Sequence, residues 1–113
     1  MNVQNAGEKI KVAVTRWPGV TASEHRFGGV EFRYGNREIG HIHGDTLVDI
    51  RLPRGLRDEL VAAHQARPHH WSMNTGWLSL PIIREDDLKW AIVLLRQSLE
   101  LIREQREWPQ AAA

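Results

Sequence analysis

The chain has 113 residues, 42% of them hydrophobic and 26% charged, with a formal net charge of +1. That length suits one domain able to bury about two-thirds of its unfolded surface, and the near-zero charge supplies no bulk attraction to nucleic acid or to an anionic membrane. Cysteine is absent, which excludes disulfides, thiolate metal ligands and a cysteine nucleophile and fits a reducing, cytoplasmic setting.

Residues 8–17 read two ways: Ile10, Val12 and Val14 alternate like a strand, while Ile10, Val14 and Trp17 recur at helical spacing. Pro18-Gly19 stops either element. Residues 20–26 read as a loop. Val30, Phe32 and Tyr34 then alternate on one face of a strand, and Gly35-Asn36 is a two-residue hairpin signal. Arg37 to His43 is the returning strand, His43-Gly44-Asp45-Thr46 a second turn, and Leu47 to Leu52 a third strand.

Pro53 suits the first turn of a helix, because its missing N–H would be unsatisfied there anyway. Leu56, Leu60 and Ala63 give that helix an apolar stripe, ending near Ala66, before Pro68. A further strand centres on residues 76–82, and Pro81 marks it as an edge or as ending there. Glu85, Asp86 and Asp87 place carboxylates where a helix N-terminus favours negative charge. Leu88, Ile92, Leu95, Leu99 and Ile102 then step by four and three, predicting an amphipathic helix over about residues 86–107. No apolar run reaches the ~18 residues of a membrane span. The first residues lack the apolar stretch of a signal peptide, and residues 108–113 read as a frayed tail.

Four of the six histidines fall in two short segments, His41-Ile42-His43 and His69-His70. His41 and His43 are two apart on a strand, so both point to one face. Such a pair can share a metal, and nitrogen and oxygen ligands without sulfur suit zinc, iron, manganese or nickel. A third ligand would come from one of His69 and His70, or from Asp45, Asp49 or Glu31; Asp45 is the one carried forward with the pair. Trp71 and Trp77 are candidate walls of a polar pocket that His41, His43, His69, His70 and Glu31 would line. Without a metal, the histidines would instead hydrogen-bond across the sheet. Gly40 and Gly44 read as a bulge and a turn. Ser72, Thr75 and Ser79 have no nucleophile-elbow context. Gly28-Gly29 lacks the lysine of a phosphate loop. Arg33, Arg37 and Arg51 are expected on a common exposed region of the sheet.

The strings His25-Arg26-Phe27-Gly28-Gly29-Val30-Glu31-Phe32, Glu38-Ile39-Gly40-His41-Ile42-His43-Gly44 and Asp49-Ile50-Arg51-Leu52-Pro53 resemble the small "luciferase domain" family of bacteria and fungi. His69-His70, Thr75-Gly76-Trp77 and Leu94-Leu95-Arg96 follow in the same order and spacing, so the resemblance spans about residues 8–103. It implies that the two histidine segments belong to one pattern and carries over no catalytic residues. A looser likeness is to the YjbR/MmcQ layout, in which a helix, a meander, a helix, a strand with an "HW" element and a long closing helix succeed one another. His70-Trp71 and the closing helix match it, and the layout tips residues 8–17 toward helix.

The expected architecture over 1–113 is one α+β domain with its core at about 8–107. It has an antiparallel sheet of about four strands (a three-strand meander plus one), helices packed on one face and a long C-terminal helix. The leading functional expectation is small-ligand binding in the His/Trp-lined pocket. A metal-dependent enzyme built on the same histidines, with a transition metal as cofactor, is the first alternative. A protein-interaction or nucleic-acid module on the arginine face is the second, with the charge balance against nucleic acid. Trp90 or an edge strand is the expected contact of any homodimer.

Overall fold

Alternating apolar side chains and turn glycines generate the sheet of this chain, and apolar side chains recurring at three- and four-residue steps generate its helices. A computed structural model describes residues 3–24, 28–68 and 76–107. The elements run α1 (Ala6–Thr15), β1 (Val20–Glu24), β2 (Val30–Tyr34), β3 (Arg37–His43), β4 (Leu47–Arg51), α2 (Arg54–Ala62), β5 (Arg67–Pro68), β6 (Trp77–Pro81) and α3 (Glu85–Glu107). The fold class is α+β, as the pattern predicted.

The six strands form one antiparallel sheet in the order β1-β2-β3-β4-β6-β5. This corrects the expected four strands, for two reasons. Residues 20–24 read as loop because Thr21, Ser23 and Glu24 are polar, yet Val20 is buried and the segment pairs along β2 from Val20↔Tyr34 to Glu24↔Val30. β5 is two residues long and contains Pro68, which a sheet edge tolerates because no N–H is demanded on the outer side. Pro81 ends β6, which lies inside the sheet between β4 and β5.

The two readings of residues 8–17 resolve to helix: Ile10 and Val14 are buried, while Val12 is 43% exposed. Gly35 takes φ 61° and Gly44 φ 58° at the turns flanking β3, conformations that cost a Cβ-bearing residue strain. Pro53 sits just before α2, one position earlier than the pattern placed it. At the start of α3, Asp87 Oδ2 accepts the backbone N–H groups of Ile83 and Arg84 at 3.0 and 2.9 Å.

The core lies between the sheet and the helices. Phe32, Ile39, Ile50 and Leu78 from the sheet meet Leu95 and Leu99 of α3, with Ile10 and Val14 of α1 alongside, all essentially inaccessible to water. Each such side chain contributes about 1.5–3 kcal/mol of transfer free energy relative to exposure. A Cβ on Gly40 would stand 2.6 Å from Leu95 Cδ2, so β3 and α3 approach as closely as glycine allows.

This packing fixes the two faces of the sheet. Gly40 pairs with Phe32 and Ile50, and Ile50 with Leu78, an apolar row under α3. The adjacent row is polar across all six strands: Ser23, Glu31, His41, Asp49, Ser79 and Arg67. By alternation it faces away from α3.

Candidate functional site

The centre of the polar row is a network of side chains on β3, β4 and β6. His41 and His43 project from β3 on the same face, as strand parity predicted, and Asp49 is the cross-strand partner of His41. Asp49 Oδ2 lies 2.9 Å from His41 Nε2 and 2.9 Å from His43 Nε2. Its other oxygen, Oδ1, accepts a hydrogen bond of 2.5 Å from the Ser79 hydroxyl on β6. The outer nitrogen of His41, Nδ1, meets Glu38 Oε2 at 2.7 Å. The two imidazoles stand edge to face with centroids 4.9 Å apart, and the Trp77 ring is 5.2 Å from that of His41.

Glu38 joins this face through a bulge. Glu31 pairs with His41 and Phe32 with Gly40, but Arg33 pairs with Glu38, so Ile39 is an extra residue on β3. Three residues along a regular strand would place Glu38 and His41 on opposite faces; the extra residue restores them to the same one.

The network is buried at its centre and open at one end. Asp49 and His41 are 0% and 7% exposed, whereas the His43 side chain is 33% exposed. Burial pulls the His41 imidazolium down, but hydrogen bonds and charge from Asp49 and Glu38 outweigh it and hold the pKa at about 9. Burial works the opposite way on Asp49, pushing it up. Hydrogen bonds from His41, Ser79 and His43 reverse this and hold the carboxyl well below its usual range. His41 therefore donates from both ring nitrogens, to Glu38 and to Asp49. Every buried side-chain nitrogen and oxygen among the described residues has a partner.

The other expected residues divide. Trp77 is beside His41. Glu31 is in register with His41 but is held by Arg33. Asp45 does not join the histidines. The turn after His43 carries it to the start of α1, where its Oδ1 accepts the Gly7 N–H at 2.8 Å, and Asp49 takes the place assigned to it. His69, His70 and Trp71 lie outside the described residues, as do Ser72 and Thr75. Ser79, considered only as a nucleophile, is 5% exposed and committed to Asp49. Glu38 was missed; the available signal was Gly40, since a glycine inside a strand marks a bulge.

Together the fold and the site define an α+β domain carrying a buried histidine–carboxylate network on the sheet face that turns away from α3. The chain belongs to the Luciferase domain family, whose pattern matches residues 36–98, from the hairpin before β3 into α3. That span contains every member of the network. No curated protein and no solved structure matches the chain. Among the described residues, no helix is long and apolar enough to cross a membrane.

Proposed function

We propose that this domain binds a divalent transition metal through His41 Nε2, His43 Nε2 and Asp49 Oδ2, and holds a small ligand at the metal's open positions. The observation that carries this reading is the convergence of two imidazole nitrogens on one carboxylate oxygen, each at 2.9 Å. Around a metal with bonds of about 2.0–2.1 Å, ligand atoms at right angles stand about 3 Å apart. The two nitrogen–oxygen distances match that spacing, and all three ligand atoms lie within 4.8 Å of one another.

The groups behind them support the same reading. Metal-bound histidines commonly donate their second nitrogen to a carboxylate, which fixes tautomer and ring orientation; Glu38 stands at that position for His41, and Ser79 anchors the far oxygen of Asp49. A metal at His41 Nε2 would displace the proton that His41 shares with Asp49; with both imidazoles then neutral, Glu38 and Asp49 give the cluster two negative charges, which a divalent cation offsets. Two histidines and one carboxylate suit iron, manganese or zinc, and leave positions for exogenous ligands. A metal held there would supply Lewis-acid polarisation of a bound oxygen or nitrogen. His43, the exposed member, sets the side of approach, and Trp77 provides an apolar wall. This joins the two leading expectations, small-ligand binding and a metal-dependent enzyme, at one site.

The test is metal titration of untagged, chelator-treated protein with cobalt, zinc, manganese and iron(II). One equivalent should bind, raise the melting temperature and, for cobalt, give a visible d–d spectrum; His43→Ala and Asp49→Asn should abolish binding. Uptake below about a tenth of an equivalent at saturating metal, with no melting shift, would overturn the reading, because any ligand of the native state must stabilise it. The network would then be structural.

A further inference from the structure

A second concave site lies at one end of the sheet, where the start of β3, the end of β4, the start of α2 and the C-terminal half of α3 meet. It encloses about 290 Å³ and is lined by three arginines, Arg37, Arg51 and Arg54, together with Leu101, Ile102 and Gln105 among others. Among the described residues, no carboxylate lines it. The arginines are exposed, while Leu52, Ser98 and Ile102 on the floor are buried.

Four arginines elsewhere on the molecule are matched by acids. Arg33 pairs with Glu31, Arg57 with Asp58, and Arg96 and Arg103 with Glu100. Among the described residues, Arg37, Arg51 and Arg54 have no carboxylate partner, and the Arg37 guanidinium makes only a long 3.4 Å contact with Gln105. Three guanidiniums around one small cavity repel one another unless an anion lies between them. The sequence suggested a patch of Arg33, Arg37 and Arg51; the fold brings Arg37 and Arg51 together with Arg54 instead.

We infer that this cavity binds a small phosphate-bearing molecule, with the phosphate among Arg37, Arg51 and Arg54 and an apolar portion over Leu101 and Ile102. Guanidinium forks match phosphate oxygens two at a time, and three cations exceed what one carboxylate neutralises. The first turn of α2 adds unpaired backbone N–H groups and contains no acidic side chain. The cavity suits a phosphomonoester of a small alcohol or phenol rather than a polymer. The inference does not depend on metal binding at the histidines.

The experiment is titration of the full chain, chelator-treated and at low salt, with phenyl phosphate, followed by amide NMR. Phenylacetate, inorganic phosphate and a DNA duplex serve as comparison probes. Saturable shifts are expected at Gly76, Ser98 and Gln105, with inorganic phosphate weaker and phenylacetate weakest. Arg37→Gln and Arg54→Gln, both at exposed positions, should each weaken phenyl phosphate about tenfold, the scale of one charge-assisted hydrogen bond. Arg16→Gln, an exposed arginine outside the cavity, should not. Shifts that fail to saturate, that map elsewhere, or that survive both cavity substitutions overturn the inference. So does a duplex that outcompetes phenyl phosphate with the same arginine dependence, which would make this a nucleic-acid surface.

Discussion

His41 and Asp49 are direct cross-strand neighbours whose Nε2 and Oδ2 atoms meet at 2.9 Å on the sheet face that turns away from α3. Asp49 is fully buried, so its charge is sustained by its hydrogen-bond partners rather than by water. Removing one member of a buried charge pair strands the other and typically costs about 3–5 kcal/mol.

Asp49→Ala is therefore expected to be the most damaging substitution in the network, at about 3–5 kcal/mol by denaturant unfolding. Ser79→Ala removes one hydrogen bond to a charged acceptor and should cost about 1–3 kcal/mol. If the two were equal, or Asp49→Ala nearly neutral, the carboxylate would not be organising this face.

Stability of the metal-free protein should depend on pH through His41. Its folded pKa is raised from 6.5 to about 9, so it binds its proton more tightly when folded. The resulting stabilisation is complete below about pH 6.5 and disappears as pH rises through about 9. Asp49 has the opposite sign: its pKa is lowered from 3.8 on folding, so its contribution is present above about pH 4 and lost on acidification. The melting temperature of chelator-treated protein should peak between those limits and fall from about pH 6.5 to 9. His41→Gln should flatten the alkaline limb; an unchanged limb would assign that pH dependence to other groups.

Gly40→Ala tests the approach of β3 to α3. The added methyl would stand 2.6 Å from Leu95 Cδ2 and 2.7 Å from the Asp49 carbonyl oxygen. The second contact is with backbone and cannot rotate away, so a loss of about 1–3 kcal/mol is expected. Restoration by Gly40→Ala with Leu95→Ala should be only partial, since that change relieves only one of the two contacts.

Asp45→Ala separates the two acidic candidates near the histidines. Loss of its hydrogen bond to Gly7 N–H should cost about 0.5–2 kcal/mol, as for a helix cap. Metal stoichiometry should be unchanged. A parallel loss of metal would place Asp45 in the metal site after all.

What the sequence revealed follows from how local each signal is. Parity along β3 is a property of neighbours, so His41 and His43 could be assigned to one face, and the stepped leucines of α3 could be read as a helix. β1 could not, because an edge strand with Thr21, Ser23 and Glu24 has the composition of a loop. The histidine pair likewise could not choose between Asp45 and Asp49. Asp45 is nearer in sequence, but strand register, set by turn geometry and core packing, brings Asp49 opposite His41. The arginine cavity needed the arrival of α2 beside the sheet end, which no local pattern encodes.

The extra residue at Ile39 has a consequence for how this chain can vary. It acts as a phase shifter between two interleaved codes on β3, one for the packed interior and one for the charged face. Substitutions alter one letter of one code at a time. A single-residue deletion between Glu38 and His41 would move Glu38 out of step with the imidazole it steadies. The spacing of this short segment should therefore tolerate changes of residue far better than changes of length.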